Sequence, residues 1–321
     1  MGAGVRSRRL LALSFAIAAM LLASGCNRSK KRTIAVIPKG TSHLFWISVR
    51  AGAMAAGEKF NVDILWNGPA QETEYGRQIQ IVDSMAARHV DGIAVAVTER
   101  KALAQSINRA IDQGIPVTVF DSGVDSDKYL TFLATDNYEA GQIGARELGR
   151  LLNGQGTAAL LMNAPGSGST MDRERGFEDV MKREFPKIQV VARLYGQSDR
   201  AKARTAAENI LTAHPDLGGI FASAEPSSVG TALALKSRNL TGKVKFVAFD
   251  SSDTLVEDLK AGVIDAMVVQ DPYHMGFEAV KTLIDKLNGV IPPKQIDLHA
   301  RLIRKPDLDQ PEIQQLLLGR K

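Results

Sequence analysis

Short apolar runs with no polar face alternate along this chain with stretches of helical spacing, and that alternation leaves few folds open. A strand that is apolar on both sides needs helices over both faces of its sheet, the environment of a parallel sheet with crossover connections. TIAVIP (33–38), NVDILW (61–66), GIAVAV (92–97) and IPVTVF (115–120) read as strands, with helices expected at 47–60, 73–88 and 100–113. A second series starts near Asn137 with a helix at 138–152, then TAALLM (157–162) and a helix through 173–184. VVARLY (190–195), GGIFAS (218–223), VKFVAFD (244–250) and AMVVQ (266–270) continue as strands, with helices at 201–213, 227–237 and 273–288. The tail beyond Pro306 is polar and punctuated by proline, the composition of a surface segment. No Gly/Ser-rich linker divides the two series. The expected class is α/β, with two doubly wound parallel-sheet lobes of similar size.

The N-terminus stands apart from this pattern. Arg6, Arg8 and Arg9 precede an apolar run over 10–23, about 14 residues, which suits a signal h-region. Spanning a bilayer takes about 20. Ala23-Ser24-Gly25 then leads to Cys26, the one cysteine of the chain, so no internal disulfide can form. The stretch resembles the lipobox of bacterial lipoproteins, with Ala23 where that motif usually has leucine. It implies a signal peptide at 1–25, a diacylated Cys26 and a tether over 26–32. An uncleaved helical anchor is the alternative and keeps the same topology. The expected location is the periplasm or the cell surface, held to the membrane by the lipidated cysteine. Of the formal charge of +5, three units belong to the signal arginines, and the body carries no basic stripe of the kind that nucleic acid requires.

In doubly wound sheets, ligands sit beyond the carboxyl ends of the strands. Those positions hold His43-Leu44-Phe45-Trp46 after the first strand, Asp121-Ser122 after IPVTVF, and the loop 163–170 leading to Arg173. Glu225 follows GGIFAS, while Asp250 and Gln270 end their own strands. Aromatic faces with carboxylates, one guanidinium and one amide suit a polyhydroxylated ligand, which offers an apolar ring face and many hydroxyls. Phe45 and Trp46 are adjacent on a helix and so are not expected to fill one core face. His89, His214, His274 and His299 show neither i, i+4 pairing nor a cysteine partner, so no metal site is expected. The loop APGSGST (164–170) lacks the Gly-Lys-Ser/Thr ending of a phosphate loop, and no cofactor fingerprint follows a strand.

At these residues the chain resembles the type I periplasmic sugar-binding proteins that feed ABC importers, the ribose, galactose and allose group. The resemblance spans Thr33 to about Arg304 and is carried by KGTSHLFW, IPVTVFDS, ATDNYEAGQIGA, the Arg173–Phe177 stretch, LTAHPDLGGIFAS, VAFDSS and VVQDPYHMG in that order. It implies a fold of the periplasmic binding protein-like I type, with a three-segment hinge near Thr135–Asp136, Gln270–Asp271 and His299–Arg301. The lobes would comprise 33–135 plus 271–299 and 136–270 plus 300–321. It implies ligand contacts from Phe45 and Trp46 by stacking, Asp121 and Asp250 by their carboxylates, Arg173, and Gln270 at the hinge. His43 stands where ribose binders have asparagine, Ser122 replaces an arginine, Ala96 and Ala224 replace asparagines, and Ser198 replaces an aromatic. Those smaller groups imply a roomier pocket suited to a sugar larger than ribose, with Glu225 as a substitute contact. The implied function is a monomeric extracytoplasmic receptor for a sugar or polyol that delivers it to an ABC permease, with no cofactor and no enzymatic activity. A receptor presenting its ligand to a sensor kinase or chemoreceptor is the alternative. A glycosidase using Asp121 and Asp250 is a third reading, without an activated nucleophile in the sequence.

Overall fold

The structure, a computed structural model, describes residues 31–317; Cys26 and the apolar run before it lie outside the described residues. Strands β1 (Thr33–Ile37), β2 (Asp63–Trp66), β3 (Gly92–Val95), β4 (Val117–Phe120), β5 (Thr131–Thr135) and β11 (Gln295–Leu298) form one parallel sheet in the order β11-β5-β4-β3-β1-β2. The second sheet has the same order with its own strands, β12-β10-β9-β8-β6-β7. Its members are β6 (Gln155–Met162), β7 (Lys187–Tyr195), β8 (Gly219–Ala222), β9 (Lys245–Phe249), β10 (Ala266–Val269) and β12 (Arg301–Arg304). Only β12 runs antiparallel. The expected α/β architecture of two doubly wound lobes is therefore present. The chain passes between the sheets three times, after β5, after β10 and after β11.

Period-2 alternation places each strand between two apolar layers. In β1, Ala35 and Ile37 pack on Ile81 and Met85 of α2 (Tyr75–Ala87) and Ile107 of α3 (Ala104–Asp112). Ile34 and Val36 face the other way, onto Val49 of α1 (Leu44–Lys59) and Met275 and Leu283 of α9 (Pro272–Leu287). The second lobe repeats the scheme. Ala159 and Leu161 pack toward α6 (Arg200–Ala213), α7 (Glu225–Ser237) and α8 (Asp253–Lys260), while Ala158 and Leu160 pack toward α4 (Asn137–Leu151) and α5 (Gly168–Glu184).

Each lobe also contains helices whose backbones touch through glycine. A Cβ on Gly52 of α1 would lie 1.9 Å from the Tyr273 carbonyl, and one on Gly276 of α9 2.0 Å from the Val49 carbonyl. In the second lobe Gly141 of α4 and Gly176 of α5 make the equivalent approach, 2.0 Å to the Arg173 carbonyl and 2.2 Å to the Tyr138 carbonyl. The helices that enter a lobe from a crossing, α4 and α9, begin on aspartate N-caps. Asp136 accepts from Glu139 N and Asp271 from His274 N, each at 2.9 Å.

The tail beyond Pro306 lies mostly on the surface and is partly helical: α10 (Pro311–Leu317) buries Ile313, and Leu316 and Leu317 pack on the second lobe's core. The apolar residues fall on one side of a short helix, which the surrounding prolines and carboxylates disguise. Strands β5, β11 and β12 and helix α8, none of them expected, complete the sheets and their cover.

Candidate ligand-binding cleft

Both sheets direct their carboxyl ends toward a common cavity. The strands β4 and β9, which hold equivalent places in the two sheets, each end in an aspartate with left-handed backbone, Asp121 at φ 59° and Asp250 at φ 66°. Non-glycine residues rarely adopt that region, and aspartate is among the few that tolerate it. Each is pinned by one more ladder bond, Asp121 N to Leu133 O at 2.9 Å and Asp250 N to Val268 O at 2.8 Å. The turn of the backbone after that bond brings each carboxylate into the cavity wall.

In the first lobe Asp121 faces Lys39, whose Nζ lies 2.7 Å from Asp121 Oδ2 and is itself almost fully buried. The same ammonium donates to Ser167 Oγ at 3.0 Å and Ser169 Oγ at 2.9 Å, both across the cleft. Trp46 sits edge-on to Phe45 (centroids 4.9 Å apart) and to Phe120 (6.4 Å). Its indole Nε1 donates to Glu72 Oε1 at 2.7 Å, and His43 Nδ1 lies 3.3 Å from the same oxygen. Beneath these groups the buried Gln78 amide ties the ends of β1 and β3 together, donating to Pro38 O (3.0 Å) and Ala96 O (2.7 Å) and accepting from Thr98.

In the second lobe Arg173 is 2 % exposed and lies flat over Phe249, its Cζ 3.9 Å from the ring centroid. Nε donates to Asn137 Oδ1 (2.8 Å) and Nη1 to Ser223 O (2.9 Å). A guanidinium fixed in that plane is pre-organised for a ligand hydroxyl. Asp250 Oδ1 accepts from Gln270 Nε2 at 2.6 Å and Oδ2 from Glu225 N at 3.0 Å. Gln270 Oε1 accepts from Thr135 Oγ1 at 2.7 Å, so one amide joins the first crossing to the second. The Glu225 carboxylate is engaged by Arg200.

Charge follows this geometry. Burial opposes ionisation of Glu72, but hydrogen bonds from His43 and Trp46 and the Lys39 charge outweigh it, holding its carboxyl far below the usual range. Burial lowers the His43 pKa and Glu72 raises it, with a net rise above the ordinary imidazole value. Burial dominates at Asp250, whose pKa stays raised although Arg173, Gln270 and Glu225 N favour the charged form. Behind the wall, Glu174 Oε1 accepts from Asn163 N (3.1 Å) and Ser223 Oγ (2.8 Å), and burial pushes its carboxyl up to about 7.

The cavity thus gathers His43, Phe45, Trp46, Asp121, Arg173, Glu225, Asp250 and Gln270 from the positions singled out in the sequence. Ser122 is not among its lining. It is fully buried, and its Oγ donates to Ser169 Oγ (2.9 Å) while accepting from Ser169 N (3.0 Å), so it joins the lobes instead of facing a ligand. Phe45 and Trp46 share one core cluster after all, because the first turn of α1 lies over Val36 and Phe120. Arg173 leaves the surface acids alone; Asp172 pairs with Arg175. The roomier pocket implied by the small replacements does not form: Lys39 and Glu72, both missed in the sequence, reach into the space. The rule that found His43 also reaches them, since Lys39 follows β1 and Glu72 lies in the loop after β2. Among the described residues no group of three or more His, Cys, Asp or Glu side chains could hold a metal ion.

A model of the periplasmic binding protein domain matches residues 34–290. The ribose import binding protein of Bacillus subtilis is 26% identical over 280 residues, covering 87% of this chain and 89% of that protein. A carbohydrate transporter solute-binding protein of Agrobacterium radiobacter, solved with D-arabinose, superposes with a TM-score of 0.87 at 33% identity, covering 90% of this chain and 99% of its own. An ABC transporter solute-binding protein of Agrobacterium vitis, solved with D-fucose, gives 0.87 at 35% identity, covering 89% and 99%.

Proposed function

We propose, on the premise that this chain belongs to the periplasmic binding protein domain family, that it is an extracytoplasmic receptor for a neutral monosaccharide or a polyol of similar size, which it delivers to an ABC importer. One observation carries the reading: the two sheets aim equivalent aspartates, Asp121 and Asp250, into one cavity, each beside a cation and near fixed aromatic rings. Lys39 with Asp121, His43 with Glu72, Arg200 with Glu225 and Arg173 with Asp250 balance one another, which favours an uncharged ligand bearing many hydroxyls. Lys39 and Glu72 reach into the cleft from the first lobe and narrow it, which favours a single ring over a disaccharide. Asn163 Oδ1, buried in the wall with no partner among the described residues, supplies an acceptor for a hydroxyl.

The lobes comprise 33–135 plus 271–299 and 136–270 plus 300–321, and they bend about the three crossings. Ligand touching both lobes biases that hinge toward the closed form, the form a permease recognises. The receptor works as a monomer and performs no turnover. Cys26 is acylated after removal of 1–25 and tethers the body to the membrane; Cys26→Ser would then free the protein in a cell fractionation.

A thermal-shift panel of D-arabinose, D-fucose, D-ribose, alditols, a disaccharide and a sugar acid tests the ligand class. A specific ligand at 100 times its dissociation constant adds about 2.7 kcal/mol of stability. Neutral monosaccharides or alditols should stabilise most. Stabilisation by the sugar acid alone, or by nothing in the panel, would reject the reading.

A further inference from the structure

Among the described residues, Glu72 is the one carboxylate whose two oxygens divide between the lobes. Oε1 receives Trp46 Nε1 (2.7 Å) and faces His43 (3.3 Å), all in the first lobe. Oε2 receives Ser198 Oγ (2.8 Å) and Asn163 Nδ2 (3.4 Å), both in the second. Its loop is stitched to the loop after β1, with Thr41 Oγ1 donating to Pro69 O and Ser42 Oγ to Ala70 O. On the opposite side, Gln197 (φ 58°) and Ser198 (φ 50°) are two successive non-glycine residues in the left-handed region. Such backbone is retained where the surrounding structure demands it, and here it aims the Ser198 hydroxyl at Glu72.

We propose that Glu72 is a positioning residue that couples closure to ligand capture: it fixes Trp46 and His43 for the ligand and, through Ser198 and Asn163, latches the two lobes when they meet. Hydrogen bonds to an ionised acceptor are the stronger class, so the latch stabilises the closed form before any ligand contact is counted. A ligand then needs less differential affinity to complete closure, because the competent state is already partly populated. Ser198 and Glu72 form one device, since a large ring at 198 would displace the hydroxyl that Glu72 receives.

The inference rests on the receptor reading only for its affinity arm. Closure of ligand-free protein is measured by fluorescence transfer between dyes on the two lobes, in wild type, Ser198→Ala, Ser198→Gly and Glu72→Gln. The glycine variant guards against backbone effects at φ 50°. Wild type should show a measurable closed population without sugar, and all three variants should lower the closed-to-open ratio about tenfold, the worth of one hydrogen bond to a charged group. Affinity for D-arabinose or D-fucose should weaken by a similar factor. The His43 titration followed by NMR should fall in Glu72→Gln, where burial is no longer offset by the Glu72 charge, and stay in place in both Ser198 variants, a separation that mere loss of stability would not produce. Variants that close as wild type does, or wild type with no closed population, would overturn the proposal. If neither sugar binds, the ligand assignment fails while the closure measurement still judges the latch.

Discussion

Replacing Glu174 by glutamine should raise stability at pH 8 and leave it nearly unchanged at pH 4. Glu174 is 6 % exposed, and both of its hydrogen bonds, from Asn163 N and Ser223 Oγ, end on Oε1. A glutamine Oε1 accepts the same two bonds, so the substitution removes the titration without removing the contacts. The carboxyl, which starts from 4.5, is pushed up to about 7 by burial. An acid with a raised folded pKa stabilises the fold below its unfolded pKa, and that stability is lost as pH rises through the folded value. From the two values, the loss between pH 4.5 and 8 approaches about 3 kcal/mol. His43 and Asp250, also raised, slope the same way, so the wild-type profile alone does not isolate Glu174; the difference between variant and wild type does. Urea unfolding at pH 4, 5, 6, 7 and 8 measures it. A variant curve parallel to wild type across that range would refute the buried-carboxyl argument.

Three further outcomes follow from the same geometry. Asp250→Asn tolerates the left-handed backbone but can accept from only one of its two donors, so sugar affinity should fall by about 1.5–3 kcal/mol in calorimetry; affinity within twofold of wild type would remove Asp250 from the site. Gly141→Ala sets a Cβ 2.0 Å from the Arg173 carbonyl, so thermal unfolding should show a loss of about 1–3 kcal/mol, and the shift of α5 should weaken sugar binding as well. Glu147, held down to about 2 by Arg150 and Arg304 against its own burial, stabilises the second lobe above the unfolded carboxylate range. The deficit of Glu147→Gln, measured by urea unfolding, should therefore be present at pH 7 and shrink as pH falls toward 2.

The sequence was most legible where local pattern and burial agree. β3 and β4 are buried at every residue and read directly as strands, as do the helices that cover them. β11 (QIDL) alternates between exposed and half-buried residues at a sheet edge, and β12 (RLIR) places arginines at both ends, so neither carries an apolar run. Their strand character comes from the partners they meet, β5 and β10. α8, only eight residues, spends half of them on charges and presents only Leu255, Leu259 and the half-buried Val256 to the core. In the site, aspartates directly after strongly apolar strands announced themselves. Lys39 and Glu72 did not, because their meaning lies in approaches across 128 and 126 residues to Ser167 and Ser198, which no periodicity encodes.

The matched order of the two sheets bears on how a ligand is oriented. An ancestral pairing of two like lobes would give a cleft with matching walls, and the backbone keeps that symmetry down to the left-handed turns at Asp121 and Asp250. The cations that face them break it. Lys39 comes from the loop after β1 as a compact ammonium, while Arg173 comes from within α5 as a planar guanidinium stacked on Phe249. An ammonium offers three rotatable donors and a guanidinium a fixed fork, so the two walls ask for different hydroxyl arrangements. The aromatic rings are one-sided too, with Phe45 and Trp46 both supplied by α1 of the first lobe. On the proposed function, a ring with distinct faces and an uneven set of hydroxyls would gain its full set of contacts in one orientation only, and selectivity among stereoisomers would arise from the unlike side chains placed on a nearly symmetric frame.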